Sequence, residues 1–280
     1  MNNELINKLI DIAIQEDIGD GDHSSLACIP KEAKDKVQLL VKEEGIIAGI
    51  DIAETIFKKI DPHIKFNRLL NDGAHVKPGD IAFIVEGSTL GLLQAERLIL
   101  NFMQRMSGIA TNTNCYAQQL LGLKTKVLDT RKTTPGLRLI EKEAVKIGGG
   151  TNHRIGLYDM IMLKDNHIDF AGGIEKAVNA CHKYMKDKSL NLKIEVEVRD
   201  FDELNEVLQV GQIHRIMLDN FDIEATKKAV SLIDEKYEIE SSGNITLETI
   251  RSYAECGVDF VSVGALTHQI KSLDLSLKAI

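Results

Sequence analysis

From Lys126 onward the chain repeats one pattern: a short apolar run that ends in a polar residue or glycine, then an amphipathic stretch. The runs are KVLDT, MIMLKDN, KIEVEV, RIMLDN, YEIESSG and FVSVGAL. Strands that alternate with helices need crossover connections, and crossovers make the strands parallel neighbours in one sheet. The strand-end residues Glu197, Asp219, Ser242 and Gly264 recur about every 22 residues, the length of one βα step. Residues 113–280 therefore read as a parallel α/β barrel. It has fewer than the usual eight strands, because only about 165 residues are available. An open doubly wound sheet has the same local texture and stays as the alternative architecture.

Residues 1–112 read as a separate α+β domain. Leu5, Leu9, Ile12 and Ala13 share one helical face, with Gly19 as the stop and EDIGDGDHSS (16–25) as a loop. Strands are expected over 37–41 and 81–85, a helix over 51–60 and a turn at 76–80. A longer helix over 90–106 carries Leu92, Ala95, Ile99, Met103 and Met106 on one face. Arg97, Asn101, Gln104 and Arg105 form a polar stripe opposite. Ser107-Gly108 is where this helix is expected to end and the domains to join. The last residues of the chain are free to return to the first domain.

Composition narrows the function classes. The 280 residues carry a formal charge of −8, which argues against a nucleic-acid binder or an anionic-membrane binder. No apolar stretch approaches the roughly 18 residues of a membrane span. The opening MNNELINKLIDIAIQED lacks the basic start of a secretory signal. Cys28, Cys115, Cys181 and Cys256 lie far apart, without a CxxC pair. They read as small buried hydrophobes of a cytoplasmic protein rather than as disulfides or zinc ligands.

In a parallel barrel the C-terminal strand ends converge on one mouth, so listing those ends lists a candidate site. Here they supply Asp129, Arg131 and Lys132, then Lys164, then the acids Glu197 and Asp219, then Ser242-Gly243 and Gly264. Arginine forks grip planar carboxylates and phosphates, and lysine adds a point charge. With Arg138, His153 and Arg154, the cations make a dense group in an acidic chain, suited to a small, multiply anionic substrate. Glu197 and Asp219 on consecutive strands could share one magnesium ion; equally, one of them could pair with Lys164. The glycines near the last strands suit phosphate held by backbone N–H groups. Gly148-Gly149-Gly150 reads as a hinge or tight turn, since no GxGxxG, Walker, HExxH or GxSxG motif is present.

The block DTRKTTPGLRLIEKEAVKIGGGTNHRIGLYDMIMLKDNHI (129–168) resembles the centre of the quinolinate phosphoribosyltransferase family. The resemblance extends, in order, to ERLILNFMQRMSGIAT, EVEV, LDNF, ESSGNIT and VSVGALTH, and upstream to EDIGDGDHSS. It implies an N-terminal α+β sandwich and an incomplete barrel of the type II phosphoribosyltransferase fold. It also implies a homodimer in which Arg97 is supplied across the interface. Carried over by position, Arg131, His153, Arg154 and Lys164 would hold quinolinate, and Lys132 would lie between the substrates. Glu197 and Asp219 would hold the ribose hydroxyls and Mg2+ of phosphoribosyl pyrophosphate. Ser242, Gly243, Asn244 and Gly264 would hold its phosphate. Asn244 departs from relatives that carry a further glycine there. The rival readings are a paralogous barrel acting on another acid, a lyase using Lys164 as a Schiff-base amine, and a non-catalytic metabolite-binding barrel.

Overall fold

The computed structural model describes residues 4–280; residues 1–3, the start of the stretch read as carrying no signal, lie outside the described residues. In chain order the first elements are α1 (Glu4–Ile18), α2 (His23–Cys28), β1 (Lys34–Val41), β2 (Gly45–Ile46) and α3 (Ile50–Ile60). They are followed by β3 (Lys65–Arg68), β4 (His75–Val76), β5 (Ile81–Ser88), α4 (Thr89–Gln119), β6 (Lys126–Leu128) and α5 (Arg138–Ile147). Next come β7 (Ile161–Leu163), α6 (Asp165–Ala171), α7 (Ile174–Lys188), β8 (Ile194–Val198), α8 (Phe201–Val210) and β9 (Arg215–Asp219). The chain closes with α9 (Ile223–Ile233), β10 (Glu238–Ser242), α10 (Ile250–Glu255), β11 (Phe260–Ser262), α11 (Ala265–His268) and β12 (Leu275–Ala279).

The chain divides into two compact units, and the division is not a single cut. One unit runs to Asn114 and also takes in Thr133–Gly149 and Ala265–Ile280; the other is Cys115–Lys132 with Gly150–Gly264. The sequence reading places a boundary after residue 112, with the last residues free to return to the first domain.

In the first unit a four-stranded antiparallel sheet runs β12-β1-β5-β3, so the C-terminal strand pairs with β1 from Leu275↔Val41 to Ala279↔Val37. Its core gathers Leu39, Val41, Phe83 and Val85 from the sheet with Ile52, Ala53, Ile56 and Phe57 from α3, all buried. Phe57 meets Phe83 edge-on at 6.2 Å, a favoured aromatic geometry. The region expected to be loop at 16–25 already starts a helix at His23, because the Asp22 carboxylate caps it by accepting from Ser25 N at 3.1 Å.

The expected break at Ser107-Gly108 does not occur: α4 runs through it to Gln119. Ser107 and Gly108 serve close packing instead of ending the helix. Ser107 Oγ accepts from Ala48 N at 2.9 Å, and a Cβ on Gly108 would meet Lys271 O at 2.2 Å. The triple glycine is likewise a helix end and a packing point rather than a hinge. Gly148 caps α5, and a Cβ there would lie 2.3 Å from Ala110 O.

In the second unit six parallel strands run β6-β11-β10-β9-β8-β7. Thr151 adds a one-residue parallel bridge to Leu128 beyond β6. From β7 to β11 spatial order follows chain order, and β6 then joins β11. A doubly wound sheet would reverse its order at a switch point, so that alternative falls. The sheet is also curled. His153, two residues past Thr151, and Glu195 on β8 are separated by five strand spacings, roughly 24 Å in a flat sheet. Their side chains nevertheless meet at 3.0 Å. Among the described residues no ladder joins Thr151 to β7, so the barrel is incomplete.

No described helix is long and apolar enough to cross a membrane. Of the four cysteines only Cys256 is buried; Cys28 and Cys115 are exposed, contrary to their reading as core residues.

Candidate active site

Side chains of a strand alternate between faces, and register carries that parity from strand to strand. Glu195 lies opposite Arg215, and Arg215 opposite Glu238. Two residues on, Glu197 lies opposite Met217 and Met217 opposite Glu240; at the next level Asp219 faces Ser242. The remaining positions, Ile194, Val196, Val198, Ile216 and Leu218, are fully buried apolar residues on the other face. The interior face of this barrel is therefore ionic below and polar at its mouth, while its outer face is aliphatic.

Below the mouth lies a buried ion network. Arg215 Nη1 lies 3.0 Å from Glu240 Oε2 and Nη2 lies 3.0 Å from Glu238 Oε2. Its guanidinium also sits 4.1 Å above the Phe260 ring. His153 Nε2 contacts Glu195 Oε2 at 3.0 Å and Glu240 Oε2 at 3.4 Å. His153, Glu195 and Glu240 are the described group whose donor atoms all lie within 4.8 Å, as metal ligands would. Here His153 and Arg215 already face the two carboxylates, so the charges are answered from within the protein.

This network also answers where His153 points. The sequence placed it against substrate; the structure turns its ring down into the barrel, 8 % exposed. Its backbone N–H donates to the buried Asp129 Oδ1 at 2.8 Å, and Nδ1 accepts from Arg154 N at 2.6 Å. His153 thus holds the turn from which Arg154 projects.

At the mouth, Arg131 and Arg154 each lie three residues past the Leu128–Thr151 bridge. Burial and the neighbouring Arg131 guanidinium lower the pKa of Arg154, which donates to Met160 O at 3.3 Å. A half-buried guanidinium beside a second, exposed one is costly until an anion joins them. Lys164, just after β7, has its Nζ on the Glu197 carboxylate. Lys132 is exposed, with its backbone N–H held by Thr130 Oγ1 at 3.0 Å. Arg138 and Arg97 lie in the other unit: Arg138 Nε donates to Thr133 Oγ1 at 3.0 Å, and Arg97 is exposed on α4.

The far side of the mouth is formed by Asp219, Ser242, Gly243, Asn244 and Gly264. Gly243 has φ +102 and Asn244 φ +51, so the backbone after β10 turns through the left-handed region twice in succession. Asparagine tolerates that region best among non-glycine residues, which explains how Asn244 stands where a glycine would be expected. Asp219 and Glu197 offer hard carboxylate oxygens near the ends of neighbouring strands, a donor set suited to magnesium completed by substrate oxygens.

Sequence reading counted Asp129 among the strand-end residues of the site but missed Glu195, Arg215, Glu240 and Asn220. For the buried acids the signal was present: counting back by two from Glu197 reaches Glu195, and from Ser242 reaches Glu240.

A parallel barrel that gathers cations, carboxylates and a left-handed glycine turn at the carboxyl ends of its strands belongs to the barrel enzymes that act on small anionic substrates. Residues 22–107 match the model of the quinolinate phosphoribosyl transferase N-terminal domain, and residues 109–278 that of its C-terminal domain. The chain belongs to the quinolinate phosphoribosyltransferase family. It is 46 % identical over 285 residues to quinolinate phosphoribosyltransferase (decarboxylating) 1b of Nicotiana tabacum, spanning 96 % of this chain and 81 % of that protein. It is 39 % identical to the probable nicotinate-nucleotide pyrophosphorylase (carboxylating) of Bacillus subtilis, over 99 % of this chain and 94 % of the relative. The crystal structure of NadC from Streptococcus pyogenes superposes with a TM-score of 0.94 at 39 % identity, covering 100 % of this chain and 99 % of that one.

Proposed function

We propose that this chain transfers the phosphoribosyl group of phosphoribosyl pyrophosphate to quinolinate with loss of CO2. The products are nicotinate mononucleotide and pyrophosphate, a step of NAD biosynthesis. Beyond family membership, one observation carries the reading: Arg131 and Arg154 both lie three residues past the Leu128–Thr151 bridge, and the Arg131 charge lowers the pKa of Arg154, a repulsion that a dicarboxylate would relieve.

In this reading Arg131, Arg154 and Lys164 hold the two carboxylates of quinolinate, and His153 acts through Arg154. Lys132 lies between the two substrates. Glu197 and Asp219 hold the ribose hydroxyls and would hold Mg2+, which when bound neutralises the charge of the pyrophosphate. Ser242, Gly243, Asn244 and Gly264 hold the phosphate. The pyridine nitrogen forms the new bond to the anomeric carbon as the bond to pyrophosphate breaks. Positioning and charge stabilisation are the work of the protein. The ring nitrogen is then positive, so the electron pair of the breaking C–CO2 bond can rest on the adjacent carbon until a proton replaces it.

The Schiff-base reading of Lys164 is disfavoured, because its Nζ is already engaged by the Glu197 carboxylate. A homodimer that delivers Arg97 of a second copy fits the exposure of Arg97. It also fits Leu157, Tyr158 and Phe170, large apolar side chains left 70 %, 72 % and 89 % exposed on segments following Arg154 and β7. A cytoplasmic location fits four free cysteines. The test is product formation from purified protein, Mg2+ and phosphoribosyl pyrophosphate. Nicotinate mononucleotide is expected with quinolinate and not with nicotinate; the reverse preference would overturn the substrate assignment.

A further inference from the structure

Asn220 directly follows the last residue of β9. It adopts φ +56, which turns its side chain back across the ends of β9 and β10. Nδ2 donates to Asp219 Oδ2 at 2.9 Å, and Oδ1 accepts from Asn244 Nδ2 at 3.3 Å. Its backbone N–H donates to Ser242 O at 2.9 Å. Gly243 packs so closely on the same amide that a Cβ there would lie 2.2 Å from Oδ1 and 2.6 Å from Cγ.

Chemistry fixes which way this amide faces. A carboxylate only accepts hydrogen bonds, so the group on Asp219 must be the NH2. Oδ1 then faces the turn after β10, and Asn244 must present its own NH2 to it. The three side chains form a directed chain: Asn244 donates to Asn220, and Asn220 donates to Asp219. A glycine in place of Asn244 would remove the first donor. An aspartate in place of Asn220 would set two carboxylates against each other.

We propose that Asn220 is a positioning residue that couples the Asp219 carboxylate to the Ser242–Gly243–Asn244 turn, so that the acid and the phosphate-holding backbone are set as one unit. This rests on the reading that this side of the mouth takes phosphoribosyl pyrophosphate. Asn220 itself touches no reacting atom; it aims the groups that do. The quinolinate side, built on Arg131, Arg154 and Lys164, is outside this hydrogen-bond chain, so the two substrates should feel its loss unequally.

The variant that isolates the side chain is Asn220→Gly, because glycine keeps the positive φ without strain. Steady-state kinetics with each substrate varied should show the KM for phosphoribosyl pyrophosphate raised about ten-fold, the cost of a lost charge-assisted hydrogen bond. Quinolinate affinity, read by calorimetry, should stay within about two-fold of the parent. Asn220→Asp should raise the same KM further. Asn244→Gly should have a smaller effect, and combining it with Asn220→Gly should add little, since both remove links of one chain. An unchanged KM for phosphoribosyl pyrophosphate in Asn220→Gly overturns the proposal. So does an equal loss for both substrates together with a lowered Tm, which marks a merely structural role. Asp219→Ala separates the two levels of the argument. If that variant leaves phosphoribosyl pyrophosphate unaffected, the assignment of this side of the mouth fails; if it is impaired while Asn220→Gly is not, only the coupling fails.

Discussion

His153 Nε2 lies 3.0 Å from the Glu195 carboxylate in the barrel interior, a buried pair that links stability to pH. Burial opposes charging His153, and charging it gives up the hydrogen bond that Nδ1 accepts from Arg154 N, but hydrogen bonds to Glu195 and Glu240 outweigh burial and raise its pKa from 6.5 to about 9. Burial and the neighbouring Glu240 raise Glu195 from 4.5 to about 7, against the pull of His153 and Arg215. Both folded values exceed the unfolded ones, so the folded cluster holds protons that the unfolded chain releases. The stability this contributes is complete below the unfolded values and is lost as pH rises through about 7 and then about 9. Melting temperatures between pH 6 and 10 should therefore fall with rising pH in the parent protein. The fall should be shallower in His153→Gln. Parallel profiles would contradict this account of the cluster.

Arg154→Ala is expected to weaken quinolinate binding about a hundred-fold, the loss of a bidentate grip on a carboxylate. It should not lower the Tm, because it also removes the repulsion with Arg131. Arg154→Lys should rescue poorly, since an ammonium cannot reproduce the fork. Calorimetric titration with quinolinate, beside a melting curve, measures both effects.

In the first unit, Arg105 Nε donates to the fully buried Glu141 at 2.9 Å, and its Nη2 donates to Thr134 Oγ1 at 2.7 Å. Arg105→Ala leaves that carboxylate buried without its cation and should cost about 3 kcal/mol in urea unfolding. Adding Glu141→Gln should recover part of the loss. An Arg105→Ala variant as stable as the parent would show that the pair is not what satisfies Glu141.

Gly108→Ala pits two effects against each other. Alanine in a helix interior should gain about 1 kcal/mol over glycine. The added Cβ would meet Lys271 O at 2.2 Å, backbone that moves only with the segment before β12. Overpacking should win and destabilise by about 2 kcal/mol; a stabilised variant in chemical denaturation would show that this segment gives way easily.

Much of this architecture could be read from the sequence, because βα repetition and strand parity are local signals. Glu197, Asp219 and Ser242 occupy the carboxyl ends of β8, β9 and β10, and Lys164 follows β7. What escaped was decided by contacts distant in sequence. Ser107 and Gly108 look like helix breakers, yet Ala48 and Lys271 use them as close-packing points. Thr151 forms a one-residue bridge too short for any periodicity to reveal. His153 carried a charge-bearing side chain next to Arg154, and nothing local indicated that its ring would turn inward. The acids that draw it there, Glu195 and Glu240, come from strands 42 and 87 positions further along. Asn220 was not singled out, since its place depends on its positive φ and on Gly243 just past the next strand.

The most direct test of the central claim uses quinolinate labelled in the 2-carboxylate, mixed with phosphoribosyl pyrophosphate, Mg2+ and the purified protein. Labelled CO2 and nicotinate mononucleotide should appear in equal amounts, and neither should form when phosphoribosyl pyrophosphate is left out. Labelled CO2 released without phosphoribosyl pyrophosphate, or a nucleotide that retains the label, would contradict the account.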